Sequence, residues 1–146
     1  MSVKVYLDNC CFNRPFDDQK QIRIRIETEA KLYIQFKIAQ KELFLAWSYI
    51  LDYENSVNPY PDRKVIIEKW KSRSYKNVIE NPVILNDAKQ IGKLGVSPKD
   101  ALHIACAIDA NCDYFITTDD GILKKMEDYP LIRIINPVNI INLLKE

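Results

Sequence analysis

Four carboxylates stand far apart along the chain, at places where a fold could gather them: Asp8, Glu54, Asp100 and Asp119. Asp8 follows the apolar run Val3-Lys4-Val5-Tyr6-Leu7, and Asp119 follows Tyr114-Phe115-Ile116-Thr117-Thr118. Each therefore sits where a strand-like stretch runs out. Asp100 stands at the entrance of an apolar helical pattern opened by Ser97-Pro98-Lys99. Glu54 shares a spacing of three and four with Trp47, Ile50 and Leu51, which puts it near an apolar helix face, whereas Asp52 falls elsewhere. Acids that cluster in space while scattered in sequence suit magnesium, a hard cation that takes several oxygens and keeps some of its waters. Beside a phosphodiester such an ion can activate water or stabilise charge on the attacking and leaving oxygens.

Each acid also has a plainer reading. Asp8 could cap a turn, but its predecessors are apolar and Asn9-Cys10-Cys11-Phe12 hardly makes a solvated turn, so a metal ligand is favoured. Asp119 could be a helix N-cap among Thr117, Thr118 and Asp120, and a site role is again preferred. Asp120 is the weaker of the pair, because it can face the following helix. Asp100 could simply complement a helix dipole, and position alone does not separate the two readings. Asn9, Asn13 and Arg14 lie near the expected site, and Asn13 or Arg14 could meet a phosphate there. His103 follows Asp100 by three residues, so a packed, hydrogen-bonded ring is preferred to a proton shuttle.

The elements that must position these residues follow from patterning. Residues 3–7 read as a strand and 9–18 as a loop. Residues 21–40 read as a helix with Ile22, Ile26, Ala30, Tyr33, Ile34 and Ile38 on one side. A strand over 43–47 leads to Ser48, which has the character of an N-cap for a helix to about Ser56. Pro61 opens another helix to about Arg73, with Val65, Ile66 and Trp70 as its apolar side. That segment is basic through Arg63, Lys64, Lys69, Lys71, Arg73 and Lys76, and could guide phosphates, although a charged run is usually a solvated face. Helices are expected over 86–94, ending at Gly95, and from Ser97-Pro98 to about Asn111. A strand over 113–118, a short helix near 121–126, a strand at 131–135 and a closing turn or helix after Pro137 complete the chain. Strands alternating with helices imply a mainly parallel sheet in a single domain over residues 1–146.

Composition narrows the function classes. The chain has 146 residues, 47% of them hydrophobic and 28% charged, which suits one domain with a real core. A formal net charge of +1 gives no global pull on nucleic acid, so RNA binding would need a local patch or a metal. No apolar run is long enough to span a bilayer, and Asp8 comes too early for a signal-peptide core, so a cytoplasmic protein is expected. Cys10, Cys11, Cys106 and Cys112 lack zinc-site spacing and read as reduced thiols behaving as small hydrophobes.

Tyr6-Leu7-Asp8, Tyr53-Glu54-Asn55, the run Lys99-Asp100-Ala101-Leu102-His103-Ile104-Ala105-Cys106-Ala107, and Phe115-Ile116-Thr117-Thr118-Asp119-Asp120 together resemble the PIN-domain ribonucleases, in particular toxins of the VapC type. The resemblance spans nearly the whole chain and is most specific from Asp100 to Asp119. It implies a PIN-like three-layer α/β/α sandwich with a central, mainly parallel sheet. It also implies an endoribonuclease dependent on Mg2+ or Mn2+ that leaves a 3′-hydroxyl and a 5′-phosphate. Asp8, Glu54, Asp100 and Asp119 then map to the family's acids, and Thr117 and Thr118 to the hydroxyl residues near the last one. A small antitoxin protein and a homodimer are further expectations of the resemblance. The chain departs from it after the first acid, where Asn9-Cys10-Cys11 replaces the usual small hydroxyl residue.

Two other phosphate chemistries fail on residue types. A receiver domain needs paired acids after the first strand, and Asp8 stands alone. A haloacid-dehalogenase-like phosphatase needs Asp-x-Asp, which Asp8-Asn9-Cys10 breaks. The alternative from another class is a catalytically silent PIN-like module that binds RNA or serves as a scaffold.

Overall fold

A computed structural model describes residues 2–144, so residues 1 and 145–146 of the expected domain lie outside the described residues. Five strands form one parallel sheet: β1 (Val3–Leu7), β2 (Leu43–Ser48), β3 (Lys76–Val78), β4 (Tyr114–Ile116) and β5 (Arg133–Ile135), in the order β3-β2-β1-β4-β5. Eight α-helices accompany them among the described residues. These are α1 (Asn9–Asn13), α2 (Ile22–Ala39), α3 (Tyr49–Ser56), α4 (Pro61–Lys71), α5 (Pro82–Gly92), α6 (Pro98–Asp109), α7 (Asp120–Lys125) and α8 (Pro137–Leu144).

Parallel strands need crossovers, and right-handed crossovers that run in opposite directions from the centre put helices on opposite faces. Here α2 packs with α8 and α5 packs with α6, giving the α/β/α sandwich. β1 lies at the centre, and its Val5, Tyr6 and Leu7 are all buried, as expected for a strand covered on both faces. Leu7 registers with Ile116 and the Asp8 amide donates to the Ile116 carbonyl at 2.9 Å, so the chain just past β1 lies beside the end of β4.

Local signals set most boundaries. Ser48 caps α3 by accepting from the Leu51 amide, and Ser97 caps α6 by accepting from the Asp100 amide, with Pro98 in the first turn. Four expectations need correction. The stretch expected as a loop over 9–18 folds instead as α1 and a 3-10 turn at Arg14–Phe16, because Asp8 caps it. α5 starts at Pro82 rather than near Asn86, since Asn81 accepts from the Ile84 amide and proline follows it. The basic segment ends as a helix at Lys71, and Lys76–Val78 forms β3 against β2. On α4, Ile67 turns inward while Val65 and Ile66 are exposed.

The α2 face is also rotated from the expected one. Ala30, Ile34 and Ile38 are buried, but Ile22 is 76% and Ile26 48% exposed, while Glu27, Lys31 and Gln35 turn inward. Glu27 can do so because cations meet it. Arg14 donates through Nε to its Oε1 at 3.0 Å, Arg23 lies 3.4 Å from Oε2, and the Asn136 amide donates to Oε2 at 2.7 Å. Lys31 has no such partner among the described residues, and burial lowers its amine to about 8, with its Nζ 5.4 Å from the centre of the Phe12 ring.

Candidate active site

The sheet order reverses direction at β1: the chain leaves β1 for β2 on one side and arrives at β4 on the other. A crevice forms beyond the carboxyl ends of the strands at such a point, and ligands of open α/β sheets gather there. Asp8 leaves β1 into this crevice, and Thr117, Thr118 and Asp119 leave β4 into it.

Asp8 is only 6% exposed. Its Oδ1 accepts from the Asn9 amide at 2.8 Å and its Oδ2 from the Thr117 hydroxyl at 2.8 Å, with the Cys10 thiol 3.5 Å from the same oxygen. Among the described residues no lysine or arginine pairs with it. Burial pushes its carboxyl above the ordinary value. His103 and the Thr117 hydroxyl pull the other way, while Asp100 and Glu54 add to the rise. Asp100 and Glu54 are therefore close enough for their charges to be felt at Asp8.

Glu54 is held from two sides. The Asn9 side-chain amide donates to its Oε2 at 3.1 Å, and its Oε1 meets Nε2 of the fully buried His103. The other ring nitrogen, Nδ1, lies 2.6 Å from the Tyr6 hydroxyl, which lies 2.6 Å from Ser48 Oγ. These contacts form one continuous row from the Leu51 amide through Ser48, Tyr6 and His103 to Glu54. Burial would raise the Glu54 carboxyl, but His103, Lys99 and Asn9 together outweigh it and hold it below the ordinary value. The packed, hydrogen-bonded histidine expected from sequence is what the ring does here.

Asp100 and Asp119 face a cavity of about 360 Å3 together with Ser97 and Lys125. Asp119 caps α7 through Oδ1, which accepts from the Ile122 amide at 3.1 Å, and Oδ2 is not part of that cap. A Cβ on Gly121 would come within 3.1 Å of Asp119 Oδ1, so any larger residue there would press this carboxylate to shift by a few tenths of an ångström. Glu54 lies on a separate cavity of about 250 Å3 beside Asn9. The four acids thus share one end of the sheet. Among the described residues, however, no three histidine, cysteine, aspartate or glutamate side chains stand close enough to hold a metal ion as they are.

The accessory residues divide. Thr117 binds Asp8 directly, and its Oγ1 also accepts from the Asp119 amide at 3.1 Å, linking the two acids. Thr118 is buried, and its amide meets Cys10 Sγ at 3.4 Å. Asn9 joins Asp8 to Glu54. Asp120 turns away and makes a two-pronged pair with Arg23 at 2.6 and 2.7 Å, which lowers its carboxyl. Arg14 is spent on Glu27 and Asp17. A wider cavity of about 540 Å3 lies over that ion-pair cluster, beside Ile22 and Val138, but its charged groups are already matched. Sequence reasoning missed Ser48 as more than a cap, Tyr6 as a polar link, and Cys10. The signal was present only for Tyr6, a hydroxyl inside an otherwise apolar strand. The four cysteines are free thiols, as expected, and Cys11, Cys106 and Cys112 are buried.

No protein-family model matches the chain, and no curated protein matches it in sequence. Solved structures do match. VapBC-1 from nontypeable Haemophilus influenzae is 15% identical, with a TM-score of 0.58 over 94% of this chain and 98% of that one. The likeness is one of fold. VapBC2 from Rickettsia felis, solved bound to a DNA fragment from the promoter, gives a TM-score of 0.56 at 14% identity over 92% of this chain and 98% of that one. PAE2754 from Pyrobaculum aerophilum gives 0.56 at 15% identity over the whole of both chains. The α/β/α sandwich with a central, mainly parallel sheet expected from the sequence is the fold shared with these structures, and β3 brings its strands to five. No helix among the described residues is long and apolar enough to cross a membrane.

Proposed function

We propose that this chain is a metal-dependent endoribonuclease of the PIN type, working as the toxin of a toxin–antitoxin pair. The observation that carries the reading is Asp8: a buried carboxylate at the switch point of the sheet, with no lysine or arginine paired to it and with two more acids within electrostatic reach. Its donor environment fits Mg2+ or Mn2+, because carboxylate oxygens are the hard ligands such ions prefer. Asp8, Asp100 and Asp119 would hold the ion, with Glu54 binding directly or through water. When bound, the ion supplies positive charge for the scissile phosphate and a means of activating water.

The chain's own residues do the rest. Thr117 and the Asn9 amide fix the Asp8 carboxylate, and Thr117 orders the approach of Asp119 through its backbone amide. His103 and Asn9 fix Glu54, so that its carboxylate is ionised and oriented without an added base. Lys99, next to Asp100 and near Glu54, offers a cation for an RNA phosphate. An antitoxin presenting a basic side chain to Asp8 would offset the same charge deficit, and a homodimer is part of the same proposal.

Cleavage of a generic RNA by the wild type and by Asp8→Asn, with magnesium and with a chelator, tests the reading. Cleavage is expected to need the ion and to fall to background in the variant. An asparagine variant as active as the wild type would remove metal catalysis from this site. RNA binding without cleavage under any condition would favour the silent module.

A further inference from the structure

We propose that the cavity between α1, α3 and α4 is a subsite for one unstacked base of single-stranded RNA, seated on the ring of Tyr60. The inference rests on the nuclease reading and adds to it the place where substrate is gripped beside the cut. The cavity holds about 250 Å3, room for one planar base, and Glu54 forms part of its wall. A base bound there lies next to Glu54.

Tyr60 caps the start of α4 with its ring 53% exposed. Its amide donates to Asn58 Oδ1 at 3.0 Å, an Asx turn that fixes the backbone beneath the ring. The Arg63 guanidinium lies 4.1 Å from the ring centre, and Arg63 is anchored in turn by donating to the Phe16 carbonyl at 3.0 Å. A half-exposed aromatic ring beside a cation, both on the wall of one cavity, offers the stacking surface and positive charge that single-stranded bases and their phosphates use. Three asparagine side chains, Asn9, Asn13 and Asn58, also line the cavity.

Those amides are partly spoken for, and what is left over suits a base edge. Asn13 donates through Nδ2 to the Asn9 carbonyl at 3.0 Å, and Asn58 accepts through Oδ1. Among the described residues Asn13 Oδ1 and Asn58 Nδ2 make no hydrogen bond, which leaves one acceptor and one donor on the cavity wall. Lys99, on the same wall, is placed for the phosphate that joins this base to its neighbour. RNA read by stacking and edge contacts must be single-stranded at that position, because a paired base presents neither its face nor its pairing edge.

Binding of a fluorescent single-stranded hexanucleotide, measured by anisotropy in calcium at fixed salt, tests the subsite for the wild type, Tyr60→Ala and Tyr60→Phe. Melting curves check that the variants are folded. Tyr60→Ala is expected to weaken binding about fivefold or more, and Tyr60→Phe to restore it, since stacking needs the ring and not the hydroxyl. Moving one abasic position along the strand should reveal a place where the probe no longer distinguishes Tyr60→Ala from wild type. Equal affinity of wild type and Tyr60→Ala, a loss shared by Tyr60→Phe, or no such place along the strand would overturn the subsite. RNA cleavage followed in parallel separates the two claims. A wild type that cleaves RNA with no role for Tyr60 loses the subsite and keeps the nuclease, and one that binds through Tyr60 but never cleaves keeps the subsite and loses the nuclease. A wild type that neither binds nor cleaves loses both.

Discussion

Two buried carboxylates, Glu27 on α2 and Asp8 at the end of β1, have nearly equal burial and opposite surroundings. Glu27 is 2% exposed and meets Arg14, Arg23 and the Asn136 amide. Asp8 is 6% exposed and meets a hydroxyl, an amide and a thiol, with His103 favouring its charge and two further acids opposing it. The first arrangement is complete within the chain, and holds the 14–16 turn and α2 to the residue after β5. The second has no lysine or arginine paired with it among the described residues, and His103 and Thr117 offset its burial only in part. A fold tolerates an unmatched buried charge where binding makes up the deficit, which is why the two acids are read differently despite similar exposure.

The largest expected effect separates them on stability. Glu27→Ala leaves Arg14 without its buried partner and should cost about 3 kcal/mol, near the lower end for a broken buried pair because Arg23 is half exposed. Asp8→Asn should leave stability unchanged or raise it, since an unpaired charge is removed while the asparagine oxygen keeps the Asn9 amide and its Nδ2 can donate to the Thr117 hydroxyl. Denaturant unfolding of both variants, read at constant m-value, decides this. A large loss in Asp8→Asn would place Asp8 among the structural acids.

A smaller effect appears in the pH dependence of metal-free stability. Asp8's carboxyl is raised in the folded chain from its ordinary 3.8, so between those two values the folded state binds the extra proton. Stability must then fall as pH rises through that window, and the penalty is absent below the unfolded value. Glu54 and Asp120 are lowered and contribute in the opposite sense, so the quantity to measure is wild type minus Asp8→Asn. That difference should grow more unfavourable to the wild type as pH rises, and magnesium should reduce it. A difference that is flat with pH would show that the Asp8 charge is matched after all.

The smallest expected effect concerns the hydrogen-bond row behind Glu54. Tyr6→Phe removes the hydroxyl that links His103 and Ser48, at a cost of about 1 kcal/mol in thermal or chemical unfolding. Glu27→Ala should exceed it severalfold. A Tyr6→Phe loss as large as that of Glu27→Ala would make the row a stability element rather than an orienting one.

Which parts could be read from the sequence follows from how local each signal is. Asp8 and Asp119 stood out because each ends a strand, and Ser48 and Ser97-Pro98 announced their helices within four residues. β3 did not stand out, because Lys76-Asn77-Val78 buries only its last residue and exists by pairing with β2. α1 is a five-residue helix whose cap is Asp8 itself, so reading Asp8 as a ligand hid its second role. The α2 face was misread because a glutamate facing inward is intelligible only with Arg14, Arg23 and Asn136 in place, residues up to 109 positions away. The row from Ser48 through Tyr6 and His103 to Glu54 joins four elements, and no spacing encodes it.

The central claim is that the charge deficit at Asp8 is the seat of a divalent cation. Manganese binding followed by electron paramagnetic resonance, on wild type and Asp8→Asn under identical conditions, tests it without relying on turnover. Saturable binding by the wild type, displaced by magnesium and lost in the variant, is the expected result. Equal manganese affinity in the two proteins, or none in the wild type, would contradict it.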